Sequence, residues 1–315
     1  MIPRIKRTGM FKEMPLPVAK ILTKPREDWI RIAKRSGRTA SCDVDWRKYN
    51  PNDFLFTQCT IVSSVCTEAD GHTIKTSSSH LVNANGNAWT NPVLLATFRT
   101  FIGGENYKEH VQIKSLSYGK ILDAVIRPFR YKKGEDISDV FICDILVATE
   151  RKHELLCRDI ETKRLKTLSM GTVCSKIQCS KCGKIFTDED EQCEHLKNEL
   201  GQYYIDAQGI KRRVAELCGA SFFNLKTGQW EGDPESNKFI EASWVWIPAY
   251  SGAVVNHFVQ PEDVGEKMDN MFLASLENAV CTHAADKSFK IAKVIFRTQK
   301  AIERRERMVN SIIGI

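Results

Sequence analysis

Two thiols on a tight turn, Cys179-Ser-Lys-Cys182-Gly183, are followed after ten intervening residues by a third thiol and an imidazole, Cys193-Glu-His195. No other feature constrains the fold as much. Gly183 lets the backbone turn so that its amides face the sulfurs, and four soft or borderline donors in two close pairs suit a tetrahedral structural zinc. The segment 179–195 is too short to bury a core of its own and needs the metal to fold. We therefore expect one Zn²⁺ bound by Cys179, Cys182, Cys193 and His195, with Cys174 as the substitute ligand. A closed site with three cysteines and one histidine leaves no position for water, so its role is stabilising. Asp188, Glu189, Asp190, Glu191 and Glu194 beside the ligands argue against contact with phosphates.

The chain has eleven cysteines. The other single ones, Cys42, Cys59, Cys66, Cys143, Cys157, Cys218 and Cys281, read as small buried hydrophobes. An odd total fits free thiols in a reducing compartment. With 315 residues and 42% hydrophobic content the chain can bury a large core. Its formal charge of +7 suits an acidic partner without requiring one. Met-Ile-Pro-Arg-Ile-Lys-Arg at the start is followed by no apolar segment, so no secretory signal is expected. The most apolar stretch, Ala242–Val259, is interrupted by Pro248, Asn256 and His257, so no membrane span is expected either.

Along the chain, residues 1–52 read as a basic arm carrying one short helix around Asp28–Ser36. Asp53–Val65 reads as a strand, Asn83–Thr90 as a loop and Pro92–Phe101 as a short helix. Val111–Pro128 reads as strand, Gly119, strand, and the β-branched run Val140–Thr149 as a buried strand. Glu150–Lys163 places Leu155, Leu156 and Ile160 on one face of an amphipathic helix. Apolar residues at three- and four-residue steps from Val264 to Ile302 indicate two C-terminal helices within Pro261–Asn310. The second carries Lys287, Lys290, Lys293, Arg297, Lys300, Arg304, Arg305 and Arg307, a run that reads as a solvated face.

Three motifs stand in order: Glu109-His110-Val111; Leu165-Lys166-Thr167-Leu168-Ser169-Met170-Gly171; and Phe239-Ile240-Glu241-Ala242-Ser243-Trp244-Val245 with Pro248-Ala249 after it. Together they resemble the prohead (head-maturation) serine proteases of tailed bacteriophages, over about Glu105 to Val255. The likeness is greatest to a group in which a Cys-x-x-Cys insertion separates the last two motifs.

The resemblance implies an α+β, β-barrel-like fold of the prohead-protease and herpesvirus-assemblin type with flanking helices. The protease-like domain would span 53–260, with an insertion at 174–238 carrying the zinc finger, and C-terminal helices would fill 261–315. His110 would be the general base, Ser169 the nucleophile and Glu241 the group that orients the imidazole, with His153 as the competing third member. Such a trio is needed because a serine hydroxyl is a weak nucleophile until an imidazole takes its proton. Gly171 would let the backbone approach the scissile carbonyl.

The function implied is an endopeptidase that cleaves scaffold and capsid precursors in assembling proheads. Its partners would be the phage scaffold, major capsid and portal proteins, with a homo-oligomer allowed and neither nucleic acid nor membrane expected. It would be located in the host cytoplasm, within proheads, with retention in the virion left open. The alternative is a catalytically silent virion structural protein that keeps the fold.

Overall fold

A computed structural model describes residues 20–253, apart from 23, 36–43, 134–135 and 251. The expected C-terminal helices and their basic run lie outside the described residues, as do Cys42 and Cys281.

The strands are β1 (Lys20–Leu22), β2 (Phe54–Ser63), β3 (Asn87–Ala88), β4 (Glu105–Lys108), β5 (Gly119–Lys133), β6 (Asp136–Glu150), β7 (Leu168–Cys174), β8 (Ile177–Cys179), β9 (Ile185–Phe186), β10 (Tyr203–Ile205), β11 (Lys211–Arg213), β12 (Glu216–Cys218), β13 (Ser221–Asn224), β14 (Gln229–Gly232) and β15 (Asn237–Trp244). The α-helices among the described residues are short: α1 (Pro25–Arg35), α2 (Asn91–Thr97), α3 (Glu154–Glu161) and α4 (Glu194–Glu199). The class is mixed α+β, with mostly strands.

Seven strands form the main sheet in the order β1-β2-β6-β5-β4-β15-β7. All pairings are antiparallel except β4 with β15. β6 is a nearly unbroken buried run because both faces of the sheet are covered. On one face Cys143, Ile145 and Val147 of β6 pack with Leu94 from α2, Leu156 and Ile160 from α3, and Phe239 and Trp244 from β15. On the other face Leu146 and Ala148 pack with Leu22 and Trp29.

The segment read as an arm therefore contributes to this body. β1 extends the sheet through Lys20, Ile21 and Leu22 opposite Gln58, Thr57 and Phe56. The buried Trp29 of α1 donates its indole N–H to Asp123 at 2.8 Å. The barrel-like expectation also needs correcting, since among the described residues the sheet is open, with β1 and β7 at its edges. β1 occupies part of the β2 edge that a closing strand would use. β2 and β7 approach each other around the shared core without pairing.

Two further readings differ. Val111–Tyr118 is a loop with a 3₁₀ turn at Lys114–Leu116, and Val111, Ile113 and Leu116 are exposed. Only beyond it does β5 run for fifteen residues. The helix read over Glu150–Lys163 is confined to α3 and ends before Lys163, which adopts a left-handed φ of 63°. Leu155 points to solvent, and Cys157 takes the place expected for it.

A smaller sheet, β3-β12-β8-β9, and the hairpin β10-β11 build the inserted module around Ile177, Phe186, Leu196 and Val214. The module leaves the main sheet after Cys174 and returns at Asn237, and these two residues are paired across β7 and β15. Arg212 of β11 joins the module to the body through an ion pair with Glu68 at 2.6 Å, and a second ion pair within the module, to Asp206 at 2.9 Å, holds the guanidinium in place.

Candidate active site and metal centre

β4 and β15 run parallel, with Trp244 opposite Lys108, so the chain leaving β4 enters a loop beside the end of β15. Glu109 N donates to Trp244 O at 2.9 Å, and Glu109 Oε1 accepts from Trp246 N at 3.0 Å. Between these ties Glu109 and His110 both take left-handed backbone angles, φ 50° and 57°. Two consecutive non-glycine residues in this region are costly and persist only where surrounding structure enforces them, a feature of functional sites.

The turn brings the His110 ring onto a carboxylate 131 positions away: Nδ1 lies 2.8 Å from Glu241 Oε1. Glu241 is 1% exposed, whereas the His110 side chain is 39% exposed. Desolvation of the ring favours its neutral form, but the Glu241 hydrogen bond and charge, aided by Glu109, outweigh this and raise its pKa. With Nδ1 engaged by the carboxylate, Nε2 is the nitrogen left to exchange a proton.

Ser169 lies on β7 directly opposite Ser243 of β15, and Gly171 lies opposite Glu241. Residues two apart on a strand, and residues paired across strands, share a face, so Ser169, Gly171, Ser243 and Glu241 line one side of the β7–β15 ribbon. Ser169 is 7% exposed and its hydroxyl has no hydrogen-bond partner among the described residues. All three residues named from the sequence are thus grouped around one ribbon, although His110 bonds to Glu241 and not to Ser169.

Gly171 has a different role from the one expected. A Cβ there would lie 2.5 Å from Glu241 Oε1 and 2.8 Å from Gln112 Nε2. The missing side chain makes room for the carboxylate. His153, the competing third member, packs against Tyr118 with ring centroids 4.5 Å apart and ring planes tilted by 55°, and lies 3.9 Å from Glu150 Oε2. Burial and the neighbouring Lys152 lower its pKa.

In the inserted module the donor atoms of Cys179, Cys182, Cys193 and His195 all lie within 4.8 Å of one another. Cys179 ends β8, Cys182 sits in the turn before β9, Cys193 caps α4 and His195 lies in its first turn. Gly183 takes a left-handed φ of 71°, and its N–H donates to Cys179 O at 2.9 Å. Lys181 N reaches Cys179 Sγ at 3.4 Å. Burial pushes the Cys179 thiol up to about 12. Burial also opposes ionisation of Cys193, but the Leu196 and His195 amides and the two neighbouring thiols lower its pKa overall. His195 Nδ1 is buried without a hydrogen-bond partner.

A buried ring nitrogen without a hydrogen-bond partner, on a histidine clustered with three cysteines, fits metal coordination, so the cluster can hold a metal ion. Cys174 stands apart from it, with its thiol 3.1 Å from Asn237 Oδ1. From Ser169 to Cys174 along β7 is roughly 17 Å, so the module departs from the end of the ribbon remote from the serine.

Sequence reasoning gave no role to Gln112 or Ser243, both of which touch the buried carboxylate. Ser243 was visible as the third residue of the Glu241-Ala242-Ser243 motif. Nothing local marked Gln112. No helix among the described residues is long and apolar enough to cross a membrane. No protein-family model, curated protein or solved structure matches this chain.

Proposed function

We propose that this chain is a serine endopeptidase of the prohead-protease type, acting on scaffold and capsid precursors, with a structural zinc in the inserted module. The observation that carries this reading is the His110 Nδ1–Glu241 Oε1 bond of 2.8 Å beside Ser169 on the same ribbon face.

In this mechanism His110 Nε2 takes the Ser169 proton as Oγ bonds to the peptide carbonyl carbon. The same nitrogen returns the proton to the leaving amine as the C–N bond breaks. Water, deprotonated by His110, then cleaves the acyl-enzyme and restores Ser169. Glu241 stabilises the imidazolium and fixes its tautomer. The sulfur-rich donor set favours zinc over harder cations; Cys179, Cys182, Cys193 and His195 would hold it, and it would then crosslink β8 to α4.

One observation favours the alternative of a silent structural protein: Ser169 and His110 are not hydrogen-bonded to each other. Catalytic hydrogen bonds can lengthen in the absence of substrate, so the two readings part on activity. The test is co-expression with phage scaffold and capsid precursor proteins. The enzyme reading expects precursor cleavage by wild type and none by Ser169→Ala. Equal processing by both, or intact precursors with a well-folded wild type, would leave the structural reading.

A further inference from the structure

Glu241 is nearly fully enclosed, and both of its oxygens are held by groups outside the proposed trio. Ser243 donates its hydroxyl to Oε2 at 2.6 Å. Gln112 donates Nε2 to Oε1 at 3.2 Å, sharing that oxygen with His110. Gly171 leaves the space in which the three groups meet.

A buried carboxylate without such donors carries a large desolvation cost and can rotate about its last, soft torsion. Rotation would turn Oε1 away from Nδ1 and free the imidazole to take either tautomer. We infer that Ser243 and Gln112 are positioning residues that lock the Glu241 carboxylate and, through it, hold His110 with Nδ1 protonated and Nε2 bare. This inference rests on the serine-hydrolase reading of the site.

The same contacts decide which of the two facing serines is the nucleophile. Ser243 is 0% exposed and its proton is committed to Glu241. The Ser169 hydroxyl makes no such bond, so it is the one free to react.

The test uses the full chain with ¹⁵N-labelled histidine, the His110 signal being assigned by its loss in His110→Gln. It combines the ring ¹⁵N shifts, which report the tautomer, with the labelling rate by a fluorophosphonate probe. Circular dichroism and zinc content serve as controls for folding. In wild type, at a pH above the ring's own titration as followed by the same ¹⁵N shifts, the His110 ring should be neutral and a single Nδ1–H tautomer. In Ser243→Ala and in Gln112→Leu both tautomers should appear. Labelling should slow by about tenfold, the rate equivalent of one lost hydrogen bond, at an unchanged half-saturating probe concentration. Ser243→Thr, which keeps the hydroxyl, should restore both readouts. An unchanged tautomer and rate in both variants would overturn the inference while leaving the hydrolase reading in place. An unlabelled wild type whose variants still shift tautomer would sink the hydrolase reading and support the positioning role.

Discussion

At the scale of single residues the site depends on a charge balance that pH can probe. The raised His110 pKa means that the folded protein binds the proton more tightly than the unfolded chain. Stabilisation from the ring is therefore complete below its unfolded value of about 6.5 and disappears as pH rises through the higher folded value. The difference in unfolding midpoint between wild type and His110→Ala should shrink as pH rises above about 6.5, as followed by urea denaturation at a series of pH values. Reactivity runs the other way, because only the neutral ring accepts the serine proton. Fluorophosphonate labelling should rise with pH along a curve centred above about 6.5. A Gly171→Ala methyl would overlap the Glu241 carboxylate at 2.5 Å. That change should cost about 1–3 kcal/mol of stability and sharply reduce labelling, both measurable on one preparation. The four candidate metal ligands were legible in the sequence because all of them fall within seventeen consecutive residues. The pairing of His110 with Glu241 was legible only through the order of motifs, since no spacing rule joins residues 131 positions apart.

At the scale of elements, β2 and β6 announced themselves because both lie in the middle of the sheet and are apolar over most of their length. Val111, Ile113 and Leu116 misled because β-branched and apolar residues spaced two or three apart imitate a strand, while only the tertiary structure shows them exposed on a loop. Residues 20–35 misled in the opposite sense. Their basic charge suggested an arm, but Trp29 anchors α1 through its bond to Asp123. Trp29→Phe should lose about 1–3 kcal/mol through that hydrogen bond alone, which chemical denaturation would register; an unaltered midpoint would mean that α1 does not dock. The inserted module should respond to metal instead. Freshly purified protein should hold one zinc per chain by elemental analysis, and less than about half an equivalent would count heavily against the site. Cys182→Ser should release the metal and expose Cys179 to thiol reagents while the main sheet keeps its circular dichroism.

At the scale of the whole molecule, an open seven-stranded sheet holds the proposed chemistry at one end of the β7–β15 ribbon and the metal module at the other. Strand order was not legible, because the parallel β4–β15 pairing joins segments separated by over a hundred residues. That pairing creates the site. It sets the His110 turn beside Glu241, and β7 then brings Ser169 to the same face. Such a layout separates stability from reactivity, so metal removal should lower the unfolding midpoint without changing which serine reacts. The most direct measurement of the central claim is the position of a covalent adduct. A fluorophosphonate should phosphonylate wild-type protein as Ser169 Oγ bonds to phosphorus and fluoride leaves, and peptide mass spectrometry should place one adduct on Ser169, absent from Ser169→Ala and slowed about 10⁴-fold in Glu241→Gln. An adduct on Ser243, or equal labelling of wild type and His110→Ala, would contradict the account.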